Sequence, residues 1–383
     1  MWKWSVMIIL SVTLCACGIF DKDDNPEKGP PPDVWVKSAT DLGVLETHSS
    51  ITMRDGGYST VFNGHSVWLY GDTFLDDENS DGYSLLSNTW SWTDNFDVNN
   101  EITGFQERLD DADKPQELLT LTDIEQAFND LHNGENCEEQ PCGARWALWP
   151  ADIVVDPLTN WAYVFYQKVY AEPGDFNFDR VGHSVALWKE FDTTPERTVF
   201  NRVEQHPTLL FGKSEPSFGS AVLLVDNMLY VYGCDIDGLV KPCRLARVSV
   251  ADVLDINAWT YYAGEGNWSI DLTDAKAIFN GNDIMSVFYN PFSQRYIALF
   301  SQPLDAETRL RTSTSPQGPW SKPVIVFDAK KPNNDTGWVY DALAHPEFTE
   351  DDSSILYVTY SRQTGFLQAE VRVVKVELEL PVE

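Results

Sequence analysis

The sequence predicts an all-β chain closed into a five-bladed propeller, on three observations. Residues 51–74, ITMRDGGYSTVFNGHSVWLYGDTF, hold two β-branched and aromatic runs on either side of Asn63-Gly64. Both residues of that dipeptide tolerate positive φ, so the two runs read as a hairpin. The plan returns in residues 149–168, 214–234, 281–302 and 340–362, and each unit carries an acidic residue near its start: Asp55, Asp152, Glu215, Asp283 and Asp341. Each hairpin is followed by a third strand-like run, at 85–93, 183–189, 243–250, 309–315 and 370–378. Short strands repeated in units of this size are the signature of blades around a central channel, expected at about 51–98, 146–190, 214–252, 281–326 and 340–380.

Taken in order, residues 1–17 stand outside the fold. Lys3, an apolar run over 6–14 and the ending Leu14-Cys15-Ala16-Cys17 form an export signal too short to span a bilayer as a stable helix. Its end resembles the lipobox of bacterial lipoproteins, which implies lipidation at Cys17 and anchoring in the bacterial cell envelope. The alternative is a plain signal peptide with a chance cysteine. Residues 18–33, rich in Asp, Pro and Gly, have nothing to bury and read as a tether, and the propeller domain is expected over 34–383.

In the first blade, antiparallel pairing brings the start of one hairpin strand beside the end of the other, so Asp55 and Asp72 share one face. The turn Asp77-Glu78-Asn79-Ser80-Asp81-Gly82 fits the first half of a calcium loop, with Asp77, Asn79 and Asp81 as oxygen ligands. Its twelfth position is Asn88 in place of the bidentate Glu, so a solvated acidic turn is the alternative; no cofactor is required. Between the first two blades lies an insertion. Thr122 and Glu125 form a capping box, and Ile124, Ala127, Phe128 and Leu131 recur at helical spacing, so a short helix is expected over 123–131. It is either a wall over the site or decoration.

The remaining cysteines form two close pairs, Cys137 with Cys142 and Cys234 with Cys243. Local pairs in an exported chain most simply close two loops as disulfides, and their spacings do not match the structural zinc knuckles. The formal net charge of −32 argues against nucleic acid as a partner, since phosphate contacts need Lys and Arg. A monomer is expected. Aromatic residues make up 13% of the chain, including 14 Trp, a supply that suits both blade cores and sugar stacking.

The first strand of each propeller blade lines the channel, so the residues at its start converge on one mouth. Asp55, Asp152 and Glu215 hold that place in three successive blades. Carboxyl groups crowded in an aromatic funnel suit glycoside hydrolysis, where one must stay protonated for the leaving oxygen and another must ionise to activate water or attack carbon. Trp149, Trp146 and Trp68 are candidates to stack on a sugar ring.

These residues carry a resemblance. The blade-start pattern is similar to the five-bladed glycosidases of families 43 and 32, which implies Asp55 as general base or nucleophile, Asp152 within Trp149-Pro150-Ala151-Asp152 as orienting neighbour, and Glu215 within Ser214-Glu215-Pro216 as general acid. Gly318-Pro319-Trp320 and Ala344-His345-Pro346 are similar to that group as well. More closely, DGGYS followed by WLYGDTF resembles the domain of unknown function 4185, whose characterised members form glycoside hydrolase family 183. That resemblance implies a polysaccharide substrate, with arabinan-like furanosides favoured. Two departures bear on the site. Asp55 is followed by Gly where family 43 has Pro, and Asp72 is an extra carboxyl, so the base stays open between the two. Arg54 is expected to bind substrate or to hold Asp55 ionised, and His345 either to line the channel or to be a satisfied core histidine. A non-catalytic glycan-binding lipoprotein is the alternative reading.

Overall fold

The structure, a computed structural model, describes residues 29–98, 101–134, 137–174, 177–235, 238–302, 305–329, 338–349, 352–365 and 368–381. The expected signal, Cys15, Cys17 and most of the expected tether lie outside these residues.

Five antiparallel sheets surround one axis. Blade 1 runs outward through Ile51–Phe62, His65–Leu75, Thr89–Thr93 and Gln106–Glu107. Blade 2 uses Arg145–Val155, Ala162–Ala171, Phe178–Trp188 and Glu196–Arg197. Blade 3 begins with Ser217–Val225, Met228–Cys234 and Pro242–Ser249, and blade 4 with Met285–Asn290, Arg295–Ser301 and Glu307–Ser313. Blade 5 is Val339–Ala344, Ile355–Gly365 and Gln368–Glu379, completed at its rim by the N-terminal strand Trp35–Val44. The first strands touch their neighbours in turn from blade 1 to blade 5 and back to blade 1, which closes the ring.

The order of the strands follows from their turns and faces. Asn63 and Gly64 take φ of 53° and 88°, the left-handed pair that a two-residue hairpin turn needs. Inner strands are apolar on both faces because each blade is covered by its neighbours, as in the wholly buried run Ala162–Gln167. Aromatic rings fill the wedges between blades. Trp188 of blade 2 packs 4.8 Å from Phe62 and 5.1 Å from Trp90 of blade 1, while Trp259 of blade 3 meets Phe211 at 5.3 Å. Trp68, a candidate sugar platform in the sequence, is wholly buried among these core rings and contacts no solvent.

The helix Asp123–His132 follows blade 1 in the chain and carries the reciprocal capping box of Thr122 and Glu125. The apolar spacing that predicts it does not mark its buried face. Ile124 is 85% exposed, while Glu125, Asn129 and His132 are buried. Polar fastenings decide this orientation: Glu125 pairs with Lys168 and Arg197 of blade 2, and Asn129 exchanges hydrogen bonds with the backbone of Trp146. Both disulfides, Cys137–Cys142 and Cys234–Cys243, are formed.

Candidate functional site

The site grows from an irregularity in blade 1. Pairing between Ile51–Phe62 and His65–Leu75 shifts register on both sides of Gly56, and Gly56 and Gly57 adopt φ of 82° and 121°. Such bulges bend a strand and re-aim a side chain. Here the re-aimed side chain is Asp55. A Cβ on Gly71 would stand 2.7 Å from Asp55 Oδ1, so only glycine leaves room for the carboxyl between the two strands. Tyr340 of blade 5 donates its hydroxyl to Asp55 Oδ2 at 3.0 Å. Burial, and then the negative charge of Asp72, push Asp55 up to about 7, against the pull of the Tyr340 hydrogen bond.

Asp72 is treated differently. Its Oδ2 accepts from Arg145 Nη2 at 2.7 Å and its Oδ1 from the indole Nε1 of Trp149 at 2.8 Å. Two carboxyl groups of one hairpin therefore meet opposite environments, one with a cation and one without. Trp149 also meets Phe178 edge-on at 4.9 Å, which gives this side of the mouth an aromatic wall.

Around the mouth stand further groups at equivalent blade starts. Asp283 of blade 4 pairs with Lys241 of blade 3 and with Arg180 of blade 2, whose Nη2 lies at 3.2 Å. Asp341 of blade 5 is 7% exposed and holds φ of 55°. Burial, then the charges of Asp55 and Asp283, place it well above the ordinary carboxylate range, although Arg180 and Lys241 oppose the shift. Tyr58 crosses the channel, donating to the Ser220 carbonyl at 3.0 Å, and is raised by burial and by the charges of Asp152, Asp341 and Asp283.

Asp152 sits at a register shift of its own, between Pro150 and Ile153. Its Oδ1 accepts from the Ile153 N–H at 2.8 Å and its Oδ2 from the Val222 N–H of blade 3 at 2.6 Å. It stitches two blades together where they face the channel. Burial still carries it up to about 7, outweighing those two hydrogen bonds.

Glu215 departs from the expected acid. Arg202 clamps it through both oxygens, at 2.6 and 2.8 Å, and the Gly212 N–H adds a third hydrogen bond at 2.7 Å. Burial raises Glu215, but these hydrogen bonds and the Arg202 charge outweigh it and leave it below its ordinary range, the reverse of what a general acid needs. It faces a cavity of about 1320 Å³ on blade 3 lined by Arg202, Lys213, Arg244 and Tyr261, and none of Asp55, Asp72, Asp152 or Asp341 lines that cavity.

Two further expectations are corrected. Arg54 does not hold Asp55: it is buried, lies over the Tyr70 ring and pairs with Glu107 at 2.7 Å, since neighbouring side chains on a strand point to opposite faces. His345 does not line the channel. It is 1% exposed, stacks on Trp68 at 4.0 Å, and spends its two ring nitrogens on Ser59 and Thr359. Trp146 packs against Phe128 and Tyr170 beneath the helix. In the acidic turn the amide oxygen of Asn79 accepts from the N–H groups of Asp81 and Tyr83, and Asp77 accepts from Glu78. Among the described residues no group of three or more His, Cys, Asp or Glu is set to hold a metal ion.

The family described as "Domain of unknown function (DUF4185)" matches residues 34–369, which takes in blades 1 to 4, the first two strands of blade 5 and every mouth residue above. The chain belongs to this family. Among solved structures, the chain is similar to a glycoside hydrolase family 43 enzyme of Xanthomonas citri, at 14% identity over 88% of this chain and 89% of that one, with a TM-score of 0.47. It is also similar to an α-L-arabinofuranosidase of Podospora anserina, at 12% identity over 92% and 99%, TM-score 0.44. A third is a protein of unknown function from Dyadobacter fermentans, at 8% identity over 91% and 100%, TM-score 0.44. No curated protein matches.

Proposed function

We propose that this member of the family is a glycoside hydrolase that cuts a polysaccharide at the channel mouth, with Asp55 as general acid and Asp72 as base or nucleophile. The observation that carries the reading is the contrast between these neighbours. Asp55 has no cation and is pushed up to about 7, while Asp72 is bound by Arg145 and Trp149. Pairs of carboxyls whose environments differ in this way are how one site runs acid and base chemistry together. Asp55 gives its proton to the glycosidic oxygen as the bond to the anomeric carbon breaks. Asp72 either takes a proton from the attacking water or attacks the carbon itself. Each Asp72 oxygen retains a lone pair after its hydrogen bond to Arg145 or Trp149, so the residue is occupied without being spent. In this reading Asp152 is a positioning residue, Glu215 lies outside the site, and Trp149 with Phe178 is the surface on which a sugar ring rests.

The favoured substrate is neutral, because the mouth cations Arg145, Arg180 and Lys241 are already paired with aspartates, and the family resemblance favours an arabinan-like furanoside. The reading extends to residues 1–33 as an export signal, lipidation at Cys17 and a tether, which place a monomeric enzyme on the bacterial cell envelope. The test is release of reducing ends from a panel of arabinans and other envelope or plant glycans. Activity on one glycan that disappears in both Asp55→Asn and Asp72→Asn supports the assignment. Binding of a glycan without cleavage would instead make the protein a glycan-binding lipoprotein.

A further inference from the structure

Resting on the mouth as a sugar site, we propose that Asp341 is a substrate-binding residue, its carboxyl hydrogen-bonding a hydroxyl of the sugar beside Asp55. Nothing in the acid-and-base pair requires this residue, yet four observations single it out. It is more than nine-tenths buried. Among the described residues no protein group hydrogen-bonds its side chain. Its oxygens are not among the buried side-chain atoms shut off from solvent without a partner, so they are left to water or a ligand in the channel. Its backbone holds φ of 55°, an uncommon conformation for a residue with a Cβ and one that clusters at functional sites. Its chain neighbour Tyr340 is the donor to Asp55, the strand shifts register between Tyr340 and Leu343, and the charge of Asp55 acts on Asp341.

A second unpartnered group belongs to the same cluster. The buried Nε of Arg180 has no hydrogen-bond partner, although the same guanidinium reaches Asp283. The groups that act electrostatically on Asp341 are the carboxylates Asp55 and Asp283 and the cations Arg180 and Lys241, and Tyr340 and Tyr58 feel its charge in turn. Lys241 and Arg180 are engaged with Asp283 and only partly oppose the rise that burial and the neighbouring carboxylates give Asp341. A carboxyl raised in this way favours its protonated form, which can donate. A sugar hydroxyl accepts two hydrogen bonds and donates one. That chemistry fits a neutral acid and an N–H with an ionised aspartate alongside.

The test uses the full chain with Asp341→Gly and Asp341→Asn, because Gly and Asn both accept positive φ and the backbone is spared. Asp341→Asn keeps a neutral donor and is expected to stay within about threefold of wild type in KM and kcat. Asp341→Gly is expected to raise KM roughly ten- to hundredfold while kcat changes by about threefold or less, the loss of one buried hydrogen bond in uniform binding. Equal losses in both variants would show that the anion is needed and would overturn the proposal, as would no change in either. If wild type binds a glycan without cutting it, the hydrolase reading fails while Asp341 is still judged, by weaker glycan binding in Asp341→Gly alone. Absence of both binding and cleavage on the panel overturns the two together. Carbon-13 spectra of aspartate-labelled protein supply a readout independent of activity. A carboxyl protonated at pH 7, present in wild type and Asp55→Asn and missing from Asp341→Asn, is expected; an ionised Asp341 would sink the idea.

Discussion

Two acidic centres on this molecule use the same side-chain chemistry to opposite ends. Beneath the helix, Glu125 is surrounded by donors: Arg197 grips it at 2.6 and 3.2 Å, Lys168 pairs with it, and the Thr122 N–H closes the capping box. Burial works against its charge, yet the Arg197 hydrogen bonds, the Arg197 charge and Lys168 win, and it falls to about 2. At the channel mouth Asp55 is half-buried but has a tyrosine hydroxyl in place of a cation, and it rises to about 7. Burial alone therefore does not determine the charge of a carboxyl. The company of cations does, and a site that withholds them is prepared to hold a proton.

Substitutions at the two centres separate these roles. The largest expected effect is on turnover: Asp55→Asn, which keeps shape and removes the proton, should lower kcat/KM by roughly a thousandfold or more without loss of thermal stability. Wild-type kcat/KM should fall as pH rises past about 7, where Asp55 loses its proton. A variant with normal activity would break the contrast. Next, Glu125→Gln leaves Lys168 and Arg197 buried without their counter-charge and should cost about 3–5 kcal/mol in a denaturant melt, with glycan binding unchanged. Because Glu125 is depressed below its ordinary value, that stabilisation is present above pH 4.5 and lost as pH falls toward about 2.

Asp55 gives the opposite sign. Its raised value means that stability is fully present below about 4 and declines as pH climbs toward about 7, levelling off above it. Asp55→Asn should therefore be more stable than wild type by on the order of 2–4 kcal/mol at pH 8, with the difference vanishing near pH 4. Melting curves across that range decide it, and a constant offset would refute the assignment. The smallest effect is expected from Cys137→Ser with Cys142→Ser. That disulfide closes a loop with a sequence separation of only 5, so its loss should cost about 2 kcal/mol on the loop-entropy scale.

Much of this architecture was legible in the sequence because hairpin chemistry is local. Asn63-Gly64 and the recurring apolar runs define strands wherever they occur, and the acidic residue at the start of every blade but the third marks the channel end. The rim strand Trp35–Val44 was not legible: WVKSATDLGV has no apolar alternation, being mostly exposed, and its partner Gln368–Glu379 lies at the far end of the chain. The site was read in part. Asp55 and Asp72 follow from strand pairing, but the pairing of Glu215 with Arg202 depends on a loop between blades, which no period predicts. Asp341 and Asp283 were visible as members of the repeat. Their importance comes from Lys241 and Arg180 leaning in from other blades to one of them and not the other. His345 shows the converse error, since a histidine in a conspicuous motif is satisfied by Ser59 and Thr359 once blade 5 is packed.

The rim strand also sets an order of events. Trp35–Val44 is made before the other strands of the ring and pairs with Gln368–Glu379, made after them, so blade 5 cannot be completed until both have emerged. Until then blade 5 has an open edge, the kind of surface that other chains join. Contacts of this sequence separation also form slowly. The last blade is thus where misassembly during synthesis would begin, and the circle of carboxyls, which needs Tyr340 and Asp341 from that blade, is completed only by the final step of folding.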